Sequence, residues 1–271
     1  MKLIERGSGA PRVAVVGGIH GDEPAGARIV DRLADEPAVS DADGTVQLVT
    51  ANEPAVGAGE RYTETDLNRA FPGDDTSDTY ESALAARLVE LLSGADAVLA
   101  VHTSHSAPPP FAIYSHLTES VRRTVTGLPV EYAMDASGLR GTTLDSVLPH
   151  TVSLEAGRQG SEEAAEAGYG AALSFLRAHG VVTDEDPTFT ETKVVEAREE
   201  VPKGDGEPHV NYANFEEIPV GEVFASDDTY THRVDEEGIV PILASEHGYE
   251  DIFGLYGSFS RTLEPPETDP Q

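Results

Sequence analysis

The sequence predicts an α/β fold: a mostly parallel mixed sheet flanked by helices, with a small C-terminal β-rich domain. Three observations carry this expectation. Short apolar runs rich in Val alternate with segments of helical spacing as far as residue 180, the signature of strand–helix–strand units. Several of those runs stop at Gly, His or Glu, as short buried strands do where a turn begins. From about Thr183 the texture changes: TDEDPT is a cluster of turn formers, and ETKVVEA, EVFA, GIVPIL and DIFGLYG follow as strand-like pieces with no helical pattern among them. The expected division is therefore residues 1–186 and residues 187–271.

Taken in order, RVAVVGG (12–18) reads as a buried strand. PAGARIVDRLA (24–34) reads as a helix, with Ala27, Val30 and Leu33 on one face and Pro24 in the first turn, where its missing N–H costs nothing. TVQLVTA (45–51) is a second strand, and the polar, Gly-rich stretch 52–79 is too long for a mere connector. Residues 78–93 read as a helix with Leu84, Leu88 and Leu91 along one side and Gly94 as its stop. DAVLAVH (96–102), FAIYS (111–115), residues 129–133 and TVSLE (151–155) read as further strands. Residues 161–179 read as a helix capped by Ser161 and ended by Gly180, and the tail EPPETDPQ is expected to be disordered.

Composition removes several function classes. The 18 Lys and Arg against 49 Asp and Glu leave a net charge of −31, which repels nucleic acid and anionic membrane. The absence of cysteine excludes disulfides, thiolate metal sites and cysteine nucleophiles. Lys2, Lys193 and Lys203 are the only lysines. Such acid-rich, lysine-poor chains resemble proteins of salt-loving archaea, and at molar salt the Debye length falls to ~3 Å, so that the carboxylates hardly feel one another. The N-terminus lacks the apolar core of a signal peptide and no run of apolar residues is long enough to span a bilayer, so a cytoplasmic protein is expected. A homo-oligomer is compatible with the sequence.

The residues that carry chemistry follow the predicted strands. In GGIHGDEP (17–24), His20 and Glu23 lie between a buried strand and a helix, at the carboxyl edge where open α/β sheets place their sites. An imidazole and a carboxylate so spaced can grip one cation, although a polar turn with a helix cap would look similar. His102 ends the strand DAVLAVH at the same edge and completes a set of two imidazoles and a carboxylate, which suits a catalytic zinc with an open position. Asn68 and Arg69 supply an amide donor and a guanidinium fork suited to a substrate carboxylate, and Arg61 is placed to polarise a scissile carbonyl. The alternative for these arginines is pairing with surface acids. Glu155, after the strand TVSLE, can take a proton from water and pass it to a leaving amine. Alternatively it only orients its neighbours or closes a helix end.

Together HGDEPAG, DLNRAFPG, an apolar strand ending in His and a strand ending in Glu-Ala-Gly resemble the succinylglutamate desuccinylase/aspartoacylase family, of the wider zinc carboxypeptidase-like fold. The resemblance covers most of residues 12–180, and IPVGEVF and GIVPILASEHGYEDIFG look like the family's β domain, which overhangs the active site. It implies zinc ligands at His20, Glu23 and His102, a carbonyl-polarising Arg61, a carboxylate pair at Asn68 and Arg69, a general acid/base at Glu155 and a substrate-contacting tyrosine at Tyr249. One departure matters. Aspartoacylases carry a further arginine shortly before the catalytic glutamate, whereas the nearest here is Arg140 and residues 141–154 hold none.

The expectation is a hydrolase with one zinc per chain that cleaves the amide bond of a small N-acyl amino acid. Its rivals are a zinc carboxypeptidase acting on short peptides and a non-catalytic metal- or ligand-binding protein on the same scaffold. The same machinery also attacks esters.

Overall fold

The strand–helix alternation is realised as one large mixed sheet covered on both faces. The computed structural model describes residues 1–139 and 141–266; Arg140 and residues 267–271, the end of the tail expected to be disordered, lie outside the described residues. The strands are β1 (Lys2–Gly7), β2 (Arg12–Gly17), β3 (Thr45–Thr50), β4 (Ala97–Ser104), β5 (Phe111–Tyr114), β6 (Tyr132–Asp135), β7 (Thr151–Arg158), β8 (Thr192–Pro202), β9 (His209–Val210), β10 (Val223–Ser226), β11 (Thr231–Arg233), β12 (Ile239–Ile242) and β13 (Ile252–Leu263). The helices are α1 (Pro24–Ala34), α2 (Pro37–Ser40), α3 (Glu53–Ala58), α4 (Tyr80–Leu92), α5 (Glu119–Gly127), α6 (Leu144–Val147) and α7 (Glu162–Ala178), with a tight turn of 3-10 helix at Leu67–Arg69.

Ten strands hydrogen-bond in the order β1-β3-β2-β4-β7-β5-β6-β8-β13-β12, and β11-β10-β9 form a separate small sheet. The centre, β3-β2-β4-β7, is parallel, while β1 and the β12–β13 pair run antiparallel at the two edges. The C-terminal β-rich region thus continues the large sheet through β8, β13 and β12 and adds the small sheet beside it.

The parallel strands are apolar on both faces because both faces are covered. Along β2, Val13 and Val15 belong to one core cluster with Ile29 and Leu33 of α1, Val125 of α5 and Phe175 of α7, whereas Ala14 and Val16 belong to a second with Leu84 and Leu88 of α4. Leu33 is fully buried; such burial stabilises by about 1.5–3 kcal/mol, and Leu33→Ala would cost about 2–5 kcal/mol. α1 approaches β2 so closely that a Cβ on Gly17 would lie 2.1 Å from the Gly26 carbonyl oxygen. Gly18 then turns the chain with φ +65°, a backbone state that glycine adopts freely.

Several elements escape the hydrophobic pattern. β1 has only one side against protein, so its lone core contact is Ile4. α5 is rich in β-branched and charged residues, yet Thr118 caps it by accepting from the Val121 N–H, and Val121 and Val125 bury. The strand expected at 129–133 forms later, at Tyr132–Asp135, and β4 runs two residues past His102 to Ser104. The stretch 52–79 is built around α3 and the Leu67–Arg69 turn.

Candidate active site

The turn from β2 into α1 carries His20 and Glu23, both buried. Glu23 occupies the position that normally caps the helix, but its side chain makes no cap hydrogen bond. Its carboxylate is turned the other way, with Oε1 2.6 Å from His20 Nδ1 and Oε2 accepting from the Thr103 backbone N–H at 2.9 Å. The reading of this turn as a simple helix cap therefore does not hold.

His102 on β4 and Glu155 on β7 are direct register partners in a parallel ladder, which puts both side chains on the same face at the same height. His102 Nδ1 lies 3.4 Å from Glu23 Oε2. Glu155 sits inside β7, well before α7 begins at Glu162, so it does not close a helix end. His102 Nε2 and Glu155 Oε2 are buried with no hydrogen-bond partner among the described residues. A buried polar atom without a partner calls for an explanation, and beside two further metal-ligating side chains an ion or a bound molecule supplies one.

The donor atoms of His20, Glu23 and His102 all lie within 4.8 Å of one another. That spacing suits three ligands at ~2.0–2.2 Å around one divalent ion, and nitrogen and oxygen donors without thiolates suit zinc. Burial pulls His20 toward the neutral form, but its hydrogen bonds to Asp66 and Glu23 prevail and raise it to about 9. Burial works against the Glu23 carboxylate, yet His102 and His20 hold it well below the usual carboxylate range. Glu155 moves the other way: burial above all, reinforced by the Glu23 charge, raises it to about 7. Carboxylates with opposed titration at one sheet edge are suited to opposed tasks, one as a permanent anion and one as a proton carrier.

The loop 61–69 forms the next wall. Arg61 donates through Nε to Asp66 Oδ2 at 3.0 Å, and its Nη1 lies 3.7 Å from Glu23 Oε1. Asp66 Oδ1 lies 3.2 Å from His20 Nε2, so Asp66 ties the arginine to the imidazole. Asn68 is half-buried and its Oδ1 accepts from the Leu144 N–H at 3.3 Å. Arg69 is exposed and lines the cavity. Glu81, fully buried on α4, accepts from the backbone N–H groups of Thr63, Glu64 and Thr65 and so fixes this loop's path.

These groups line one cavity of about 700 Å³. Tyr249, between β12 and β13, forms part of its roof. Burial raises the Tyr249 phenol, and the Glu155 charge raises it further. Lys203 Nζ donates to the carbonyls of Glu246 and Tyr249 at 2.8 and 2.6 Å, which pins the roof segment. The structure thus brings His20, Glu23, His102, Glu155, Arg61, Asn68, Arg69 and Tyr249 to one cavity. Asp66, Glu81, Asp145 and Lys203 were not singled out from the sequence. Asp66 opens the DLNR motif itself and was within reach, whereas the others give no local signal.

A profile of the succinylglutamate desuccinylase/aspartoacylase catalytic domain matches residues 9–176. The chain is 30% identical over 176 residues to N-alpha-acetyl-L-2,4-diaminobutyric acid deacetylase of Halomonas elongata, a match covering 59% of this chain and 51% of that protein. It is also 30% identical over 172 residues to N-acyl-aromatic-L-amino acid amidohydrolase (carboxylate-forming) of Rattus norvegicus, covering 55% of this chain and 53% of that one. The matches thus span about half the length of these curated relatives. The fold is that of the succinylglutamate desuccinylase/aspartoacylase from Rhodobacter sphaeroides, with TM-score 0.75 at 22% identity over 95% of this chain and 88% of that one. With the profile spanning more than half of the residues, the chain belongs to the succinylglutamate desuccinylase/aspartoacylase family.

Proposed function

We propose that the protein is a zinc-dependent deacylase that hydrolyses the amide bond of a small N-acyl amino acid. The observation that carries this reading is the register pairing of His102 with Glu155 beside the His20–Glu23 turn. It sets a proton carrier next to a metal-ligand set, an arrangement that metal binding alone does not require. His20, Glu23 and His102 would hold the ion, whose contribution is Lewis-acid chemistry. Glu155 takes a proton from the attacking water as its oxygen bonds to the acyl carbon. The carbon–nitrogen bond then breaks as that proton passes to the departing nitrogen, and the second proton of the water follows it to the amine, so that a carboxylate and an ammonium leave. Arg61 faces the developing negative charge on the acyl oxygen. Asn68 and Arg69 hold the carboxylate of the amino acid, and Tyr249 closes the space above it.

The roof favours a compact substrate over a peptide. The two relatives differ by name in side-chain class, one a diaminobutyric acid and one aromatic, so family membership leaves the side chain open. Assay of N-acetyl, N-succinyl and N-formyl amino acids with zinc in molar KCl tests the reading. Turnover of at least one is expected, and release of C-terminal residues from short peptides without deacylation would favour the carboxypeptidase instead.

We also read residues 1–186 as the part that carries the chemistry and residues 187–271 as the part that overhangs it. The acidic surface fits the salt-rich cytoplasm of a halophile, with a small molecule and not nucleic acid or membrane as partner. Among the described residues no helix is long and apolar enough to cross a membrane. A melting temperature that climbs with KCl is expected, and one indifferent to salt would remove the halophile reading alone.

A further inference from the structure

The cavity reaches beyond the groups used above to a buried carboxylate that the proposed hydrolysis leaves without a task. Asp145, on α6, lines the cavity and is 3% exposed. It accepts from Ser115 Oγ at 2.7 Å and from Ser153 Oγ at 3.1 Å. Ser153 and Glu155 stand two residues apart on β7, hence on one face and ~7 Å apart along the strand. Asp145 therefore stands about one short side chain away from the position of the reacting amide. Ile113 shares the face of β5 that leads to Ser115, and Ile113 and Met134 add apolar wall to the same cavity.

The chain carries 49 Asp and Glu, so an exposed acid at the cavity rim would say little. Asp145 is different because burial strips its carboxylate of water. Two hydroxyl donors offset only part of that cost, and a cation offsets it best. An apolar wall with an anion at its end is complementary to an aliphatic stem with a cationic tip.

We propose that Asp145 is the specificity residue of this site and selects an N-acyl amino acid whose short side chain ends in an ammonium group. This rests on the deacylase reading for the position of the substrate, with Asn68 and Arg69 on the main carboxylate and the side chain running along Ile113 and Met134 toward Asp145. A side chain ending in a carboxylate would meet a buried like charge and be excluded.

Three amino acids of matched shape test it: L-2,4-diaminobutyrate, L-norvaline and L-glutamate, whose third side-chain atoms are an ammonium nitrogen, a methyl carbon and a carboxylate carbon. Their binding to the zinc-loaded protein is measured by calorimetry in molar KCl, and turnover of their N-acetyl forms is measured in parallel. A charge-assisted hydrogen bond predicts that the cationic member binds about 10- to 100-fold more tightly than the neutral one, with the anionic member weakest. Asp145→Asn should level the cationic and neutral members, read as the ratio of their two affinities within that variant. Equal or better binding of norvaline, glutamate or L-phenylalanine by the native protein overturns the proposal, and this comparison needs no variant that folds. Parallel weakening of all members in Asp145→Asn would mark Asp145 as purely structural and overturn it too. If the binding preference is found but none of the N-acetyl forms turns over, the subsite stands and the deacylase reading falls.

Discussion

The floor and the roof of the cavity are built by different means. Of the floor groups, His20 and Glu23 follow the end of β2, while His102 and Glu155 stand inside β4 and β7 as register partners, and the parallel hydrogen bonding of these strands fixes their heights to one another. The roof residue Tyr249 stands on the segment between β12 and β13, outside any ladder, and is held by the two hydrogen bonds from Lys203. Strand ends give precision, which bond cleavage needs; a pinned segment gives shape, which substrate choice needs. Changes to the floor should therefore act on the rate of the chemical step, and changes to the roof and the 61–69 loop on which molecules enter and how tightly.

The sharpest way to break that division is to remove a floor ligand. His102→Ala, or prolonged chelation of the native protein, should abolish turnover and lower zinc content measured by mass spectrometry below one per chain. Activity that survives with no metal bound would remove the zinc assignment. Glu155→Gln comes next, with an expected loss in kcat of ~10²–10⁴-fold and little change in KM or zinc content. The same variant carries a stability signature. Folding raises the Glu155 pKa from 4.5 to about 7, so the folded state binds more protons across that window and this group's contribution falls as pH rises through it. At pH 8 Glu155→Gln should therefore melt no lower than the native protein, and a marked drop would show that the carboxylate is structural.

Zinc affinity itself should depend on pH. A ligating imidazole must be neutral, whereas His20 holds its proton up to about 9. Between pH 7 and that point affinity should rise about tenfold per unit, with one proton released per zinc in calorimetry run in buffers of different ionisation enthalpy. No proton release would contradict the hydrogen-bonded imidazolium. Without zinc, the same group stabilises the fold fully below pH 6.5 and loses that contribution as pH rises through about 9.

Arg69→Ala tests the wall: KM should rise about tenfold or more, in the range of a lost charge-assisted bond, with kcat nearly kept. A fall confined to kcat would move Arg69 from positioning to chemistry. Tyr249→Phe is the mildest change, with an expected several-fold effect on KM from one lost hydroxyl contact. An effect as large as that of Glu155→Gln would mean that the roof takes part in proton transfer.

The same division explains what could be read from sequence. His20, Glu23, His102 and Glu155 were legible because each follows a short apolar run, and a buried parallel strand delivers whatever follows it to one edge. α1 was legible to the residue because Pro24 and its apolar spacing agree. Asp145 was not legible: it belongs to a four-residue helix, and only the pairing of β5 with β7 brings Ser115 and Ser153 to it. Glu81 looked like one more acid on an amphipathic helix, and its burial arises from a loop far from it in sequence that folds over its carboxylate. Likewise β8 and β13 read as strands, but no local pattern says that they join the large sheet itself.

Lys203 carries a consequence for the way such a surface evolves and can be probed. A chain that uses lysine at three positions keeps one of them half-buried, where two carbonyls converge on a compact ammonium that a planar guanidinium fits poorly. Lysine is thus kept where local geometry suits a point charge. Burial also lowers the Lys203 pKa, which eases loss of the ammonium proton. Lys2 and Lys193 are exposed and tied only to surface acids, so labelling at lysine side chains, read apart from the α-amino group of Met1, has three addresses, one of which reports directly on whether the roof is fastened.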